Sequence, residues 1–368
     1  MISAFIDCRD SRWHTVLDSM PHDVYHLPAY VHLSAAEHEG GEAKAFYASD
    51  GENRCLIPLL VRRVPARLEA PPEWLDVISP YGYASPLLTN DGAWVSHAID
   101  EFVKCCGANN IVSAFLRRHP FLDAGDGWRG QGDLVLQGQI VYVDLTASTD
   151  EIWSRMKPEH RTDIRKLLRL GFTTSTDEWN LLEDFVQLYR DTMCRLGADQ
   201  YYLFPRAYFD ALRKDLGSAV HLICVHSPDG VLAAAGLYTS VGGIAQAHLA
   251  GNLERFGRVA PSKLMHHRAI EWARASGCRI LNLGGGVGSQ ADSLFRFKAA
   301  FSPFRRNFET VRIVCDRSKY DTLVANSRRG QASPGGADGF FPAYRRVPEG
   351  APFRQVMAPP KAAGCSAE

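Results

Sequence analysis

The chain has 368 residues, 41 basic and 41 acidic, with 46% apolar and 22% charged side chains. This is an ordinary globular composition, long enough for two domains of about 150 residues each. The zero balance excludes a generally basic DNA binder, which needs a surplus of Lys and Arg, but leaves room for a local basic groove.

In chain order, Glu42–Ala48 and Asn53–Val61 read as two strands around the turn SDGE, an Asp-Gly hairpin signal. YGYASPLL follows, where Tyr81 and Tyr83 form either a ligand-contacting loop or a core-edge turn. Gly92–Cys105 predicts a helix and Ile111–Leu116 a strand. Helices are then expected over Glu151–Lys157, Glu159–Leu170, Glu178–Leu196 and Pro205–Leu216. A second hairpin, Val220–His226 and Val231–Tyr238 around SPDG, starts about 178 residues after the first. The helix Pro261–Ser276 and the strand Cys278–Leu283 complete the parallel, so each half reads hairpin, further strand, helix, strand. The expected fold is α/β (α+β), a duplicated module with a seam near residue 145. Residues 1–145 and 146–317 would be the two copies. Residues 318–368, rich in Gly, Pro, Ala and Ser, would be mostly a flexible tail, with Phe340, Phe341, Tyr344 and Phe353 as possible anchors.

The most charged stretch runs from Arg155 to Arg169, six Lys or Arg against two acids. On a helix Arg161, Arg165 and Arg169 share a face, with Lys166 beside it, while Ile164, Leu167 and Leu168 are expected to pack inward. Such a row is either a solvated face or a phosphate binder, because each guanidinium offers paired hydrogen bonds. Arg195 lies near a helix end that Gly197 would cap. In LNLGGGVGSQAD the glycines suit a tight turn with close backbone approach better than a dinucleotide fingerprint. Lys298 stands between Phe297 and Phe301, either snorkelling outward or held at a site.

No GxSxG, HExxH or local cysteine-nucleophile signature is present, and the nine cysteines form no Cys-x-x-Cys pair. An enzyme built this way would act by positioning and electrostatics, with no metal and no disulfide framework. No apolar run approaches the roughly 20 residues of a membrane span. The opening MISAFIDCRD does not read as a secretory signal. A cytoplasmic monomer with no DNA partner is the expectation.

Three segments of the second half, HRTDIRKLLRLGF, APSKLMHHRAIEWARASGCRILNLGG and LFRFKAAF, resemble the Fem-type peptidoglycan aminoacyltransferases of the GNAT acyltransferase superfamily. LPAYVHL, PLLVRRV and YGYASPLL resemble the opening module of that family. The resemblance spans about residues 20–313 and implies two tandem GNAT-like domains, each a mixed sheet flanked by helices. It implies transfer of an aminoacyl group from aminoacyl-tRNA, a co-substrate rather than a cofactor, to a peptide or small amine acceptor. Relatives include antibiotic-pathway and acyl-CoA-dependent enzymes.

By this likeness Lys298 assists at the acyl carbonyl or leaving oxygen, Arg195 binds acceptor phosphate, and His248 stands where relatives often have tyrosine. Phe297 and Phe301, with Tyr81 and Tyr83, would contact substrate. Arg161, Arg165, Lys166, Arg255 and Arg258 would hold phosphates of the tRNA acceptor stem. Two departures shape the expectation. Ser34, four positions after Tyr30, replaces the lysine of relatives that bind nucleotide-linked muropeptide. In RFGRVA, Arg258 stands where CoA-dependent enzymes usually carry a small residue. The alternatives are an acyl-CoA-dependent transferase acting on an amino sugar and an inactive tandem binding module.

Overall fold

A computed structural model describes the chain except residues 37, 39–40, 90–91, 123–127, 129, 199–201, 330–339 and 347–368. The described residues of 1–136 and 309–346 form one compact unit and those of 137–308 another.

The chain begins with strand β1 (Ile2–Asp7), helices α1 (Ser11–Ser19) and α2 (Pro28–Ala36), and the hairpin β2 (Glu42–Ser49) and β3 (Arg54–Arg63). The hairpin turn closes as read from SDGE: Asp50 accepts the Asn53 N–H at 2.8 Å, and Gly51 takes φ +105°. Strands β4 (Leu75–Ile78) and β5 (Leu87–Leu88), helix α3 (Gly92–Ala108) and strand β6 (Ile111–Arg117) follow. Strand β7 (Asp133–Asp144) leads to α4 (Thr149–Arg155) and α5 (Pro158–Arg169). A reciprocal Ser148–Glu151 cap starts α4, and Pro158 occupies the first turn of α5.

Next come β8 (Thr173–Thr176), α6 (Leu182–Arg195), α7 (Arg206–Leu216), β9 (Val220–His226), β10 (Leu232–Val241) and β11 (Ile244–Asn252). Helix α8 (Ser262–Ala275), strand β12 (Ile280–Gly284), helix α9 (Ser293–Ala299), strand β13 (Arg305–Val314) and helix α10 (Arg317–Arg328) complete the described elements.

Within the first unit the strand order is β1-β2-β3-β4-β6-β13. Every neighbour pair is antiparallel except β4 with β6. Phe46, Ile57, Trp94, Phe102 and Val311 fill the core between this sheet and α3. The second unit runs β8-β9-β10-β11-β12-β7, again antiparallel except β11 with β12. Its core joins Val141, Val143, Ile223 and Val225 to Met265, Ile270 and Phe301.

The two sets of six strands therefore repeat one another strand for strand. Each sixth strand is exchanged. β7 follows the first module in sequence and completes the second, while β13 follows the second and completes the first.

Three expectations change. The module boundary falls at 136/137, and the chain re-enters the first unit at Glu309 rather than ending a domain at 317. Residues 317–328 are helical rather than tail. Tyr344 and Arg345 are buried in the first unit, where Arg345 Nε and Tyr344 Oη reach Asp76 Oδ2 at 2.5 and 3.0 Å. A fully buried carboxylate needs such partners, which is why a Gly/Pro-rich segment is nonetheless anchored. Phe341 stacks on Tyr320, Phe340 is exposed, and Phe353 lies outside the described residues. Finally, the buried stripe of α5 is His160, Ile164 and Leu167, so Leu168 falls at its edge and is 53% exposed.

Candidate active site

The site is built on the second unit, where β11 and β12 run parallel. Their pairing covers only Ile244–Gln246 against Ile280–Asn282, after which β11 continues to Asn252 unpaired with β12. At the parting, Asn282 Nδ2 donates to Gln246 Oε1 at 2.8 Å, and both side chains are buried. Beyond it the β10–β11 register slips, from Leu237↔Leu249 to Tyr238↔Ala247. His248 is thus the extra residue of a β-bulge, a device that re-aims side chains and ends pairing. Two strands that separate in this way leave a slot in the sheet.

On the β12 side of the slot lie Gly284, Gly285 and Gly286. Gly284 has φ +77°. A Cβ on Gly285 would lie 2.9 Å from Gln139 O, and one on Gly286 about 2 Å from Gln290 O. The expected tight turn with close backbone approach is what the glycines make. Asp292 ties this turn to α9: it accepts the Val287 N–H at 3.0 Å and caps the helix through Phe295 N–H at 2.8 Å. Lys298, on the last turn of α9, donates through Nζ to Gly285 O at 2.7 Å.

Lys298 is half-buried, and loss of hydration pulls its pKa down to about 8, with Asp292 opposing the shift. Around it stands a ring of stacked side chains. Phe297 and Phe301 lie 5.5 Å apart and both flank His266, at 5.7 and 5.3 Å. His160 meets Phe301 edge-on at 4.6 Å. His266 Nδ1 shares a 2.8 Å hydrogen bond with Tyr238 Oη. Burial, then the charge of Lys298, pushes His266 down to about 3. Burial, then Lys263, pushes His160 down to about 4. At neutral pH both rings are uncharged, and the cations of this cluster are Lys298 and, ion-paired with Asp163, Lys263.

His248 Nε2 shares a 2.9 Å hydrogen bond with Tyr208 Oη, and burial pushes its pKa to about 4. A conjugate acid that strong makes a poor proton acceptor near neutrality, so the ring suits hydrogen bonding better than general-base work. Arg195 is exposed at the end of α6 and donates to Asn252 O at 3.2 Å, at the far end of β11. Gly197 caps that helix with φ +61°, as read from the sequence.

The basic residues sit as follows. Arg165 and Lys166 are exposed on α5, with Arg165 over the Trp153 ring at 5.2 Å. Arg161 is half-buried, and its Nε finds no hydrogen-bond partner among the described residues. Arg255 lies over Phe256 and 3.7 Å from Asp229, and Arg258 is exposed. Phe256 packs edge-on against Phe172, just beyond α5. The structure thus brings Lys298, Phe297 and Phe301 together. Tyr81 and Tyr83 belong to the other unit, where the Tyr81 carbonyl accepts from Tyr30 Oη and Tyr83 packs on Tyr25.

His160, Tyr238, Gln246 and Asn282 were not singled out in the sequence, and His266 reads there as a surface or packing residue rather than a ligand. The two histidines sit on apolar helix faces and look like core residues there. The amide pair carries no local motif at all.

Residues 154–299 match the acetyltransferase (GNAT) domain family. No curated protein matches the chain in sequence. The fold aligns with the crystal structure of FemX over 87% of this chain and 99% of that one, at 12% identity and a TM-score of 0.70. The chain thus shares the fold of FemX and carries a GNAT-domain match in its second unit.

The fold also aligns with L-PGS from Bacillus licheniformis, with 14% identity, 87% and 97% coverage and a TM-score of 0.54. A third likeness is to the C-terminal domain of a putative lysylphosphatidylglycerol synthetase from Agrobacterium fabrum, with 16% identity, 82% and 91% coverage and a TM-score of 0.53. The chain is therefore two modules of the same strand order, and the second carries the match to the acetyltransferase (GNAT) domain family. Among its described residues no cluster of His, Cys, Asp and Glu suits a metal ion, and no helix is long and apolar enough to cross a membrane.

Proposed function

We propose that the protein is an N-acyltransferase that moves an aminoacyl group from aminoacyl-tRNA to the amine of a peptide or specialised-metabolite acceptor, or of a peptidoglycan precursor. The observation that carries this reading is Lys298, a cation of lowered pKa held at the Gly285 carbonyl beside a slot in the sheet. Its chemistry suits attack on an ester. The neutral acceptor nitrogen adds to the ester carbonyl carbon, and the Lys298 ammonium offsets the charge growing on the carbonyl oxygen. Collapse breaks the bond to the 3′ oxygen, which takes a proton from Lys298. The proton lost by the attacking nitrogen restores the ammonium, so the lysine ends the cycle unchanged.

The donor assignment is supported by the loop between β11 and α8. Its N–H groups at Phe256, Gly257, Val259 and Ala260, and that of Lys263 in the first turn of α8, all bond to carbonyls of this loop. Arg258 adds bulk where a pyrophosphate would otherwise approach the backbone. A CoA pyrophosphate thus finds few free amides there, whereas Arg161, Arg165, Lys166 and Arg258 offer side-chain contacts to an RNA backbone. The neighbour named a lysylphosphatidylglycerol synthetase points the same way, since its name joins a lysyl group to a phosphate-bearing acceptor. The match to an acetyltransferase family model supports a second reading, acyl-CoA-dependent acylation of an amino sugar.

Transfer of a labelled aminoacyl group from charged tRNA, compared with transfer from acetyl-CoA, separates the two. Ribonuclease-sensitive transfer supports the first reading. Activity from acetyl-CoA alone overturns it in favour of the second, and no transfer from either donor favours an inactive binding module.

A further inference from the structure

Helix α5, which carries the basic face, is tied to helix α9, which carries Lys298, by two hydrogen bonds. Lys157 N–H donates to Ala300 O at 2.8 Å, at the C-terminal cap of α9. His160 Nε2 lies 3.2 Å from Phe297 O, and since a carbonyl only accepts, Nε2–H is the donor. The two residues in this contact are the immediate neighbours of Arg161 and Lys298. His160 is buried, and its ring also packs on Phe297 at 5.3 Å, so its place is fixed from two directions.

We infer that His160 is a positioning residue: through the Phe297 carbonyl it holds the last turn of α9, and with it Lys298, in register with the basic face of α5. This inference rests on Lys298 being the acyl-transfer residue. The consequence follows from helix geometry. The Phe297 carbonyl also accepts the Ala300 N–H, at 3.2 Å. Losing the imidazole donor leaves that carbonyl with only its intrahelical partner, and the last turn of α9 can then move relative to α5. Lys298 is set by the same turn, so its amine gains access to water and its titration moves toward that of an ordinary lysine. A displacement of this kind costs turnover while leaving donor binding intact.

The charged and titratable groups facing the cluster are Asp292 on the capping turn, His266 and Lys263 on α8, and Asp163 and Glu159 on α5. His160 also bears on His266, and His160→Phe and His160→Gln remove that influence alike, so a Lys298 shift seen in the first and recovered in the second reports the lost contact.

The experiment reads two quantities in the full-length chain. Lysines are reductively methylated with carbon-13 and titrated by NMR, the Lys298 signal being assigned by its loss in Lys298→Arg. Donor kinetics are measured alongside with charged tRNA. His160→Phe keeps ring packing and removes the donor. It should raise the Lys298 titration midpoint from near 8 toward 10 and lower kcat about tenfold, with KM for the donor within about twofold. His160→Gln, whose amide reaches a similar position, should bring both readouts back toward wild type. Should His160→Phe fail to fold, His160→Asn is too short to reach the carbonyl and takes its place. An unchanged Lys298 midpoint in the variant lacking the donor overturns the inference. So does failure of His160→Gln to recover either readout. If no donor supports transfer in the wild type, the functional reading fails, and the titration still decides whether His160 positions Lys298.

Discussion

Lys298 is poised by two opposed effects: lost hydration that destabilises its charge and a capping carboxylate, Asp292, that favours it. With a pKa of about 8, roughly nine in ten copies carry the proton at pH 7. The ammonium is therefore available for the developing oxyanion and yet acidic enough to protonate an alkoxide. Lys298→Ala should reduce kcat/KM at least about 100-fold, the loss expected for a few kcal/mol of transition-state stabilisation; steady-state transfer assays measure it. The sign of the pH effect follows from which form works. The cation is present below about 8, so its contribution to turnover declines as pH rises through that value. Lys298→Arg, whose guanidinium does not titrate there, should remove the decline even where it lowers the rate. A decline near pH 8 that survives Lys298→Arg belongs to another group.

At the level of elements, the molecule is a set of helices pinned by a few buried polar contacts. The segment 340–346 is pinned most firmly. Arg345 and Arg62 both bond Asp76, and Tyr344 adds a third donor. Arg345→Ala withdraws one partner from a fully buried carboxylate, so the first unit should lose about 3 kcal/mol, read as a lower denaturation midpoint by near-UV circular dichroism. A change under about 0.5 kcal/mol would mean the segment is not bound in solution.

Helix α5 makes the complementary case at the surface. Replacing Arg165 and Lys166 by Ala should weaken tRNA binding and flatten its log-affinity against log-salt slope by about 0.7–0.9 per lost phosphate contact. An unchanged slope removes these residues from the interface. The hairpins and the long helices were legible in the sequence because Asp-Gly turns and apolar periodicity are local signals. The partners of Lys298 were not. His160 and His266 occupy ordinary buried helix positions, and their meeting with Phe297 and Phe301 depends on tertiary packing. Tyr344 was legible as an anchor, but what it and Arg345 hold was not, since their partner is an aspartate about 270 residues earlier in the chain.

For the whole molecule, duplication was legible from the repeated hairpin, helix and strand, while the exchange of sixth strands was not, because strand order is a long-range property. The exchange makes the first unit discontinuous. A fragment of residues 1–145 lacks β13 and the 340–346 segment, whereas residues 137–308 hold five strands of the second unit whole and the part of β7 that pairs with β12. The second fragment should melt cooperatively and the first should not; cooperative melting of 1–145 would contradict the assignment of β13. Net charge is equally uninformative as a total, since 41 basic and 41 acidic residues conceal the basic helix at the head of the acyltransferase domain.

The central claim, that this fold transfers an aminoacyl group held on tRNA, is tested most directly by incubating the chain with tRNA charged with carbon-14 amino acids and an amine acceptor pool. The account predicts ribonuclease-sensitive, Lys298-dependent appearance of label in an alkali-stable amide. Amide formation supported by acetyl-CoA, with none from charged tRNA, would contradict it.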